Sequence, residues 1–141
     1  MSEAPAVRGI LLGHGAMARG LADAVQQITG MGEEVLAPLS NKGLSPEALA
    51  DAVNERVGGQ PAIVFTDLQS GSCGFVARRI AQHQPHVVVV SGVNLPLLLE
   101  FVMHRQLPIE QLVPRLLAKG RASIGCAPAE LESHGDRALS S

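Results

Sequence analysis

Aromatic residues are nearly absent from this chain, which has three phenylalanines and neither tryptophan nor tyrosine among its 141 residues. Surfaces that bind single-stranded nucleic acid stack bases on aromatic side chains, so this scarcity argues against that function. The formal net charge of −2 and the lack of a lysine or arginine cluster give no support to nucleic-acid or membrane-surface binding. We therefore expect no nucleic-acid partner.

Cysteine is also scarce, and long apolar runs are missing. Cys73 and Cys126 stand far apart and form no CxxC pair, so neither a metal site nor a disulfide framework is indicated. The longest apolar stretches, such as residues 87–90 and 95–99, are too short to span a bilayer. Residues 1–7 lack the basic and apolar regions of a secretion signal. These absences predict a cytoplasmic protein.

The alternation of apolar and helical patterns indicates an α/β fold in one domain that can bury its own core. Strands are predicted at residues 7–12, 35–39, 62–66 and 87–90, with a last short strand at 122–126. Helices are predicted at residues 16–29, 46–57, 73–82, 96–105 and about 108–120. This order predicts a doubly wound, mostly parallel sheet of four to five strands with helices on both faces.

Some boundaries and segments carry specific signals. Three residues have the chemistry of helix ends: Gly30 as a C-cap, and Ser45 and Asn94 as N-caps. The continuous β-branched run Val87–Val90 is typical of a central strand that is buried on both faces. Residues 1–126 are assigned to the domain, and residues 127–141 are expected to be a mobile polar tail.

The segment Gly13-His14-Gly15, at the end of the first apolar run, is the most informative. His14 falls between the first strand and the first helix, at the carboxyl edge of the sheet, where open α/β folds keep their chemistry. The flanking glycines let the chain turn sharply and let another molecule approach the ring. The helix that follows offers unpaired N–H groups to an anion. An imidazole beside an anion site is what phosphoryl transfer through histidine requires.

Polar side chains follow three of the predicted strands, so they should meet at one edge of the sheet. They are His14 after the first strand, Asp67, Ser70 and Ser72 after the third, and Ser91 and Asn94 after the fourth. A carboxylate beside an imidazole fixes its tautomer and leaves the other nitrogen free as a nucleophile, which assigns His14 and Asp67 as catalytic residues. Gly15, Gly71 and Ser72 are expected to hold phosphoryl oxygens through N–H and hydroxyl groups.

Several of these residues also have simpler interpretations. Asp67 is explained equally well as a turn or helix cap, and Ser72 as the N-cap of the helix that follows it. Cys73 stands where a helix start could lower its pKa, although a small packed residue is the simpler interpretation. Phe75 and Asn94 are assigned either to partner docking or to structure.

Three segments carry a further pattern over residues 7–125. They are Gly13-His14-Gly15 with Ala18 and Ile28-Thr29-Gly30, then Asp67-Leu68-Gln69-Ser70-Gly71-Ser72 with Ala77-Arg78-Arg79-Ile80, then Ser91-Gly92-Val93-Asn94-Leu95-Pro96 through Glu100. Together they resemble the enzyme IIA domain of the mannose class of the bacterial phosphoenolpyruvate:sugar phosphotransferase system. The chain departs from the family pattern at Cys73-Gly74-Phe75, where Pro-Phe-Asn is common, and at Gln69 and Ser70, which replace tryptophan and glycine.

The resemblance implies a phosphotransferase component that acts without a metal or organic cofactor. His14 would receive phosphate from the histidine carrier protein HPr and pass it to an enzyme IIB for sugar uptake, with Asp67 orienting the imidazole. The resemblance also implies a homodimer in which a C-terminal strand is exchanged between subunits, a role that suits residues 122–126. Contact with a membrane permease would come only through these partners.

Other functions compete with this interpretation. A regulatory phosphocarrier, or a relay to a dihydroxyacetone kinase, would use the same chemistry. A tetrapyrrole metal chelatase also has a glycine-flanked histidine after its first strand, but it needs a second histidine close by. His83 and His86 precede a strand, so they should lie at the opposite sheet edge from His14. A flavodoxin-like ligand-binding module without covalent chemistry is a third alternative.

Overall fold

The computed structural model describes residues 6–133. Strands and helices follow each other through most of this range. In chain order they are β1 (Arg8–Gly13), α1 (Met17–Thr29), β2 (Leu36–Ser40), α2 (Pro46–Val57), β3 (Ala62–Thr66), α3 (Gly71–His83), β4 (Val87–Ser91), α4 (Leu95–His104) and α5 (Ile109–Ala122). The predicted strands and helices of residues 7–119 are present, most with boundaries within one or two residues of those expected.

The four strands form one sheet in the order β2-β1-β3-β4, and every neighbouring pair is parallel. One face packs against α1, α4 and α5, and the other packs against α2 and α3. The prediction of a doubly wound parallel α/β sheet is therefore confirmed. In such a sheet all strands end at the same edge, which brings their following loops together.

Side chains alternate along the strands between two cores. Leu11 and Phe65 belong to the core beneath α1, α4 and α5, whereas Ile10 and Leu12 belong to the core beneath α2 and α3. The ring of Phe65 meets the ring of Phe101 edge to face, with centroids 4.9 Å apart. Because side chains on both faces of the strands are buried, the strands are held in place between the helices, and so are the loops that follow them.

The predicted helix ends are confirmed by their geometry. Gly30 adopts φ 80° and donates its N–H to Gln26. The side chain of Ser45 accepts a hydrogen bond from the N–H of Ala48, and the side chain of Asn94 accepts one from the N–H of Leu97. These caps hold the starts of α2 and α4 at the carboxyl edge of the sheet.

Two predictions about the strands and helices need correction. Helix α3 begins at Gly71 rather than Cys73, so Ser72 lies inside its first turn and is not the N-cap; Ser70 takes that position without a side-chain bond. β4 pairs with β3 alone and is an edge strand of the described sheet, with Val88 and Val89 only partly buried. A β-branched run indicates a strand but does not show how many neighbours it has.

The expected fifth strand at residues 122–126 is not formed by this chain. Helix α5 continues to Ala122, and residues 124–126 that follow are exposed and irregular. A strand needs a partner strand for its backbone groups, and no strand of the described residues pairs with this segment.

Residues 127–133 include a helical turn at 130–133 and are exposed to solvent. The rest of the expected tail, residues 134–141, lies outside the described residues, as do residues 1–5. Within residues 6–133 no helix is long and apolar enough to cross a membrane.

Candidate functional site

Three loops meet at the carboxyl edge of the sheet, and they follow β1, β2 and β3. His14 comes directly after β1, Asn41 after β2, and Asp67 after β3. The N–H of Asn41 bonds to the carbonyl of Gly13, and the N–H of Asp67 bonds to the carbonyl of Leu12. The segments that follow both neighbouring strands therefore fix the backbone that leads into His14.

The carboxylate of Asp67 holds His14 at two points. Its Oδ2 atom accepts from the backbone N–H of His14 at 2.8 Å and lies 2.9 Å from Nδ1 of the ring. Its Oδ1 atom accepts from the N–H of Leu68 at 2.9 Å. The Asp67 side chain is 6% exposed, whereas that of His14 is 40% exposed. The sequence predicted that these two residues lie at one edge of the sheet, and the structure places them in direct contact.

Asp67 is ionised in this arrangement. Burial alone would raise the pKa of its carboxyl, but the bonds from the backbone and ring of His14, with the N–H of Leu68, outweigh burial and lower the pKa below its usual value. An ionised carboxylate only accepts hydrogen bonds, so Nδ1 of His14 carries the ring proton. In the neutral ring the other nitrogen, Nε2, then has the lone pair.

The Nε2 atom of His14 faces the start of α3. A Cβ atom added to Gly71 would lie 3.3 Å from both Nε2 and Cε1 of His14, and Gly71 adopts φ 87°, which favours glycine. The N-cap residue of α3 gives no side-chain bond to its first N–H groups. The ring nitrogen that can act as a nucleophile therefore lies beside a free helix N-terminus, which favours an anion.

Ser72 and Asn41 lie at the same edge. The side-chain Nδ2 of Asn41 donates to Oγ of Ser72 at 3.2 Å, so the Ser72 hydroxyl is the acceptor in this contact and keeps its own hydrogen as a donor. Sequence reasoning named Ser72 and missed Asn41. The signal was available, because Asn41 directly follows the second strand at the edge where His14 and Asp67 were expected.

Cys73 is fully buried behind the site. Burial raises the pKa of its thiol and the neighbouring Asp67 carboxylate raises it further, against a hydrogen bond with Ser72 that lowers it. The idea of a lowered pKa at this helix start is therefore wrong, and the interpretation of Cys73 as a packed residue holds. Loss of solvation and repulsion by the nearby carboxylate outweigh the hydrogen bond with Ser72.

The remaining residues named from the sequence occupy different positions. Gly15 adopts φ 57° and has open space around it, next to His14. Asn94 caps α4 and also donates from Nδ2 to the carbonyl of Gly120, so its side chain joins α4 to α5. Phe75 is exposed and lines a groove of about 400 Å³ between α2 and α3.

The other histidines of the described range do not reach His14. His83 ends α3 and His86 directly precedes β4, which places both at the amino edge of the sheet. His104 ends α4, where its Nε2 lies 3.2 Å from Glu100. Within residues 6–133, His14 therefore has no second histidine beside it, as a chelatase would need.

Comparison with known proteins identifies the family. The sequence profile described as the PTS system fructose IIA component, where PTS is the phosphotransferase system, matches residues 9–114. No curated protein matches the chain.

Solved structures agree with that match. The mannose/sorbose-specific IIA subunit of the phosphotransferase system from Enterococcus faecalis is 26% identical, with a TM-score of 0.73, over 86% of this chain and 95% of that one. The phosphotransferase system component EIIA from Streptococcus agalactiae is 23% identical, with a TM-score of 0.79, over 85% of this chain and 96% of that one; at this identity the likeness shows the fold. The chain belongs to the mannose/fructose family of phosphotransferase system IIA components.

Proposed function

We propose that this chain is a phosphohistidine carrier that accepts a phosphoryl group from HPr at His14 and passes it to an enzyme IIB for sugar uptake. One observation carries the proposal most directly. The ionised carboxylate of Asp67 holds both the backbone and Nδ1 of His14, so that Nε2 faces the helix N-terminus with a free lone pair.

The transfer step follows from this arrangement. The lone pair on Nε2 of His14 attacks phosphorus and forms a P–N bond, while the P–N bond of the donor breaks and its electron pair returns to the donor imidazole. His14 keeps its proton on Nδ1 and gains positive charge on the ring, which Asp67 stabilises. Transfer to enzyme IIB is the same step in reverse, with the acceptor as nucleophile. Catalysis is therefore mainly positioning and electrostatic stabilisation.

The phosphoryl oxygens would be held by groups next to Nε2. The first N–H groups of α3, at Gly71 and Ser72, lack a capping side chain. The hydroxyl of Ser72 accepts from Asn41 and would turn its own hydrogen toward a phosphoryl oxygen. The backbone of Gly15, on the other side of the ring, has open space around it. Charge-assisted bonds of this kind are about twice as strong as neutral ones.

Exposed apolar side chains surround this edge and suit docking of the two protein partners. They lie at the start of α1, in the loops after β2 and β3, and in the first turns of α3: Met17, Leu44, Leu68 and Phe75. Exposed apolar residues that cluster on one surface are typical of protein-protein contact. We assign Phe75 to this docking surface.

A homodimer with strand exchange is part of the proposal. β4 is an edge strand of the described sheet, so one side of its backbone has no partner strand there. Its side chains Val88 and Val89 are also only partly buried. An open apolar edge of this kind favours pairing with a strand from another chain. Residues 122–126 of a second copy are the proposed partner. We also propose that residues 1–126 form the domain and that residues 127–141 are a polar tail.

The test is the mass of the intact protein after incubation with phosphoenolpyruvate, enzyme I and HPr. The parent should gain one acid-labile phosphate, and His14→Ala should gain none. Loss of the ring removes one hydrogen bond to a charged group, which costs about 1–3 kcal/mol, too little to unfold a domain of ordinary stability. A circular dichroism melt checks that the variant folds. Stoichiometric phosphate on a folded His14→Ala protein would refute the site.

A further inference from the structure

Three different metal-binding groups converge at the site, and phosphoryl transfer uses only two of them. An imidazole nitrogen of His14, a carboxylate oxygen of Asp67 and the sulfur of Cys73 all lie within 4.8 Å of one another. They come from three separate segments: the loop after β1, the loop after β3, and the first turn of α3. Within residues 6–133 no other group of three or more such side chains lies this close together.

The chemistry of these ligands favours a borderline cation over a hard one. Thiolate, imidazole and carboxylate are the ligands of Zn²⁺ and Co²⁺ in proteins, whereas Mg²⁺ and Ca²⁺ prefer oxygen alone. Ligands bound at 2.0–2.3 Å to a tetrahedral ion lie roughly 3.3–3.8 Å apart. The three atoms lie within 4.8 Å of one another, so shifts of about 1 Å bring them to that spacing and leave a fourth position open.

We propose that His14, Asp67 and Cys73 bind a zinc-like divalent cation, and that its binding excludes the phosphoryl group from His14. Cation binding does not depend on the proposed function. The exclusion of the phosphoryl group does rest on that function. A cation on Nε2 occupies the position of the phosphoryl group. A cation on Nδ1 displaces the ring proton from Nδ1 to Nε2, where the proton takes up the lone pair that would attack phosphorus. Either nitrogen gives the same result.

Cys73 gives this chain its sensitivity to such a cation. The thiol is fully buried against the site, and the carboxylate of Asp67 beside it would be balanced by the charge of the ion. His14 and Asp67 alone offer two ligands, which is too few for a tetrahedral site with one open position. Cys73 supplies the third and softest ligand.

Metal binding is tested first with Co²⁺ and Zn²⁺ alone. The chain has two cysteines, so Cys126→Ser leaves Cys73 as its one thiol and serves as the matched control for Cys73→Ser. The parent and Cys126→Ser should bind one Co²⁺ per chain, with an absorption band from thiolate-to-cobalt charge transfer. Cys73→Ser should lack that band and bind Zn²⁺ at least about tenfold more weakly in calorimetry. His14→Ala should also bind Zn²⁺ more weakly.

The outcomes separate the site from its alternatives. Equal Zn²⁺ affinity in the parent and Cys73→Ser, or a charge-transfer band that disappears with Cys126 instead, would overturn the proposal. Cys73→Ala, checked by circular dichroism, replaces the serine variant if that one fails to fold. No binding to the folded parent would also overturn it.

Competition is then measured as the ratio of phosphorylation rates with and without Zn²⁺, taken separately for each variant. Zn²⁺ should slow phosphorylation of the parent and of Cys126→Ser. In Cys73→Ser the only slowing should be the one that Zn²⁺ causes by acting on enzyme I and HPr. Metal binding without any phosphorylation would refute the proposed function and leave the metal site standing. Phosphorylation that ignores bound Zn²⁺ would refute the exclusion.

Discussion

The carboxylate of Asp67 fixes two parts of His14 with a single oxygen atom. Oδ2 accepts from both the backbone N–H and Nδ1, and Oδ1 is occupied by the N–H of Leu68. Both oxygen atoms of this carboxylate are therefore held by hydrogen bonds. The orientation of the His14 ring is therefore set by Asp67, whose own backbone is hydrogen-bonded to the end of β1.

Asp67→Asn should slow phosphoryl transfer by roughly 10²-fold, because the developing ring charge loses its partner. The amide also cannot satisfy every neighbour. If its oxygen faces His14, its NH₂ group meets the N–H of Leu68, and in the reverse orientation its NH₂ group faces Nδ1 and favours the wrong tautomer. Rapid-quench measurement of phosphate on the chain checks this. Unchanged kinetics would make Asp67 a structural cap only.

Gly71→Ala should impair phosphate acceptance more than it impairs stability. The added Cβ would lie 3.3 Å from Nε2 of His14 and occupy space that the phosphoryl group needs. Gly30→Ala is the matched control, because Gly30 has a similar positive φ of 80° but open space around it at the far end of α1. Both variants should lose about 1–2 kcal/mol of stability in denaturant titrations.

Only the Gly71 variant should lose phosphorylation rate. Equal transfer rates in Gly71→Ala and Gly30→Ala would show that the phosphoryl group does not lie between His14 and the start of α3.

The residues of the candidate site were predictable to different extents. Parallel strands bring His14 and Asp67 to one edge, and that follows from the order of strands and helices alone. Their direct contact at 2.9 Å depends on loop conformation, which the pattern of apolar residues does not encode. Asn41 was missed because a single polar residue after a short strand is also an ordinary loop residue.

The elements around the site are held by close backbone contact as well as by apolar burial. The Cα of Gly74, in the first turns of α3, lies against the carbonyl of Gln69 in the preceding loop, so closely that a side chain would collide with it. Arg78, one turn further on, also donates to that carbonyl. The position of the loop after β3 is therefore fixed directly by α3.

Gly74→Ala should destabilise the domain by about 1–3 kcal/mol, because a backbone carbonyl must shift to admit the methyl group. This sign opposes helix propensity, since glycine in a helix is about 1 kcal/mol less favourable than alanine. Gly20→Ala, in α1 with open space around it, should instead be neutral or stabilising. Urea titration of both variants tests the contrast. A gain of stability in Gly74→Ala would contradict the close contact.

The start of α3 is a helix boundary that the sequence did not predict correctly. The serines at 70 and 72 both have the chemistry of an N-cap, and the sequence favoured Ser72. The structure starts the helix at Gly71, because its positive φ lets the chain turn into the helix close to His14. The caps at Ser45 and Asn94 were predictable, since a proline directly follows or nearly follows each of them.

An ion cluster joins α4 to α5 on one face of the sheet. Glu100 accepts from Arg115 at 2.6 Å and lies 3.2 Å from His104. The hydrogen bond from Arg115 lowers the pKa of Glu100; burial opposes this, and the charges of His104, Arg115 and Lys119 add to it. The ionised form of Glu100 therefore stabilises the fold.

Glu100→Gln should lower the stability of the domain by less than about 1 kcal/mol near neutral pH, because the pair is partly exposed to solvent. Since the pKa of Glu100 is lower in the folded state than in the unfolded state, its contribution is complete above about pH 5 and is lost as the pH falls through the folded value. Urea midpoints of parent and variant should converge at low pH. A gap that widens on acidification would contradict this sign.

At the scale of the fold, the sequence predicted the parallel doubly wound sheet but not its outer boundary. The apolar run at 87–90 looks the same whether one or two strands pair with it, and residues 122–126 look like a strand while α5 extends to Ala122. A pattern of apolar residues indicates that a segment can form a strand, but not with which strands its backbone pairs.

The position of the phosphoryl group on the ring of His14 tests the proposed transfer most directly. Phosphorylated protein with ¹⁵N-labelled histidine would be studied by nuclear magnetic resonance, which distinguishes the two ring nitrogens. We predict one phosphohistidine, at residue 14, with phosphorus on Nε2 and the proton on Nδ1 facing Asp67. Phosphorus on Nδ1, or on any other residue, would contradict it.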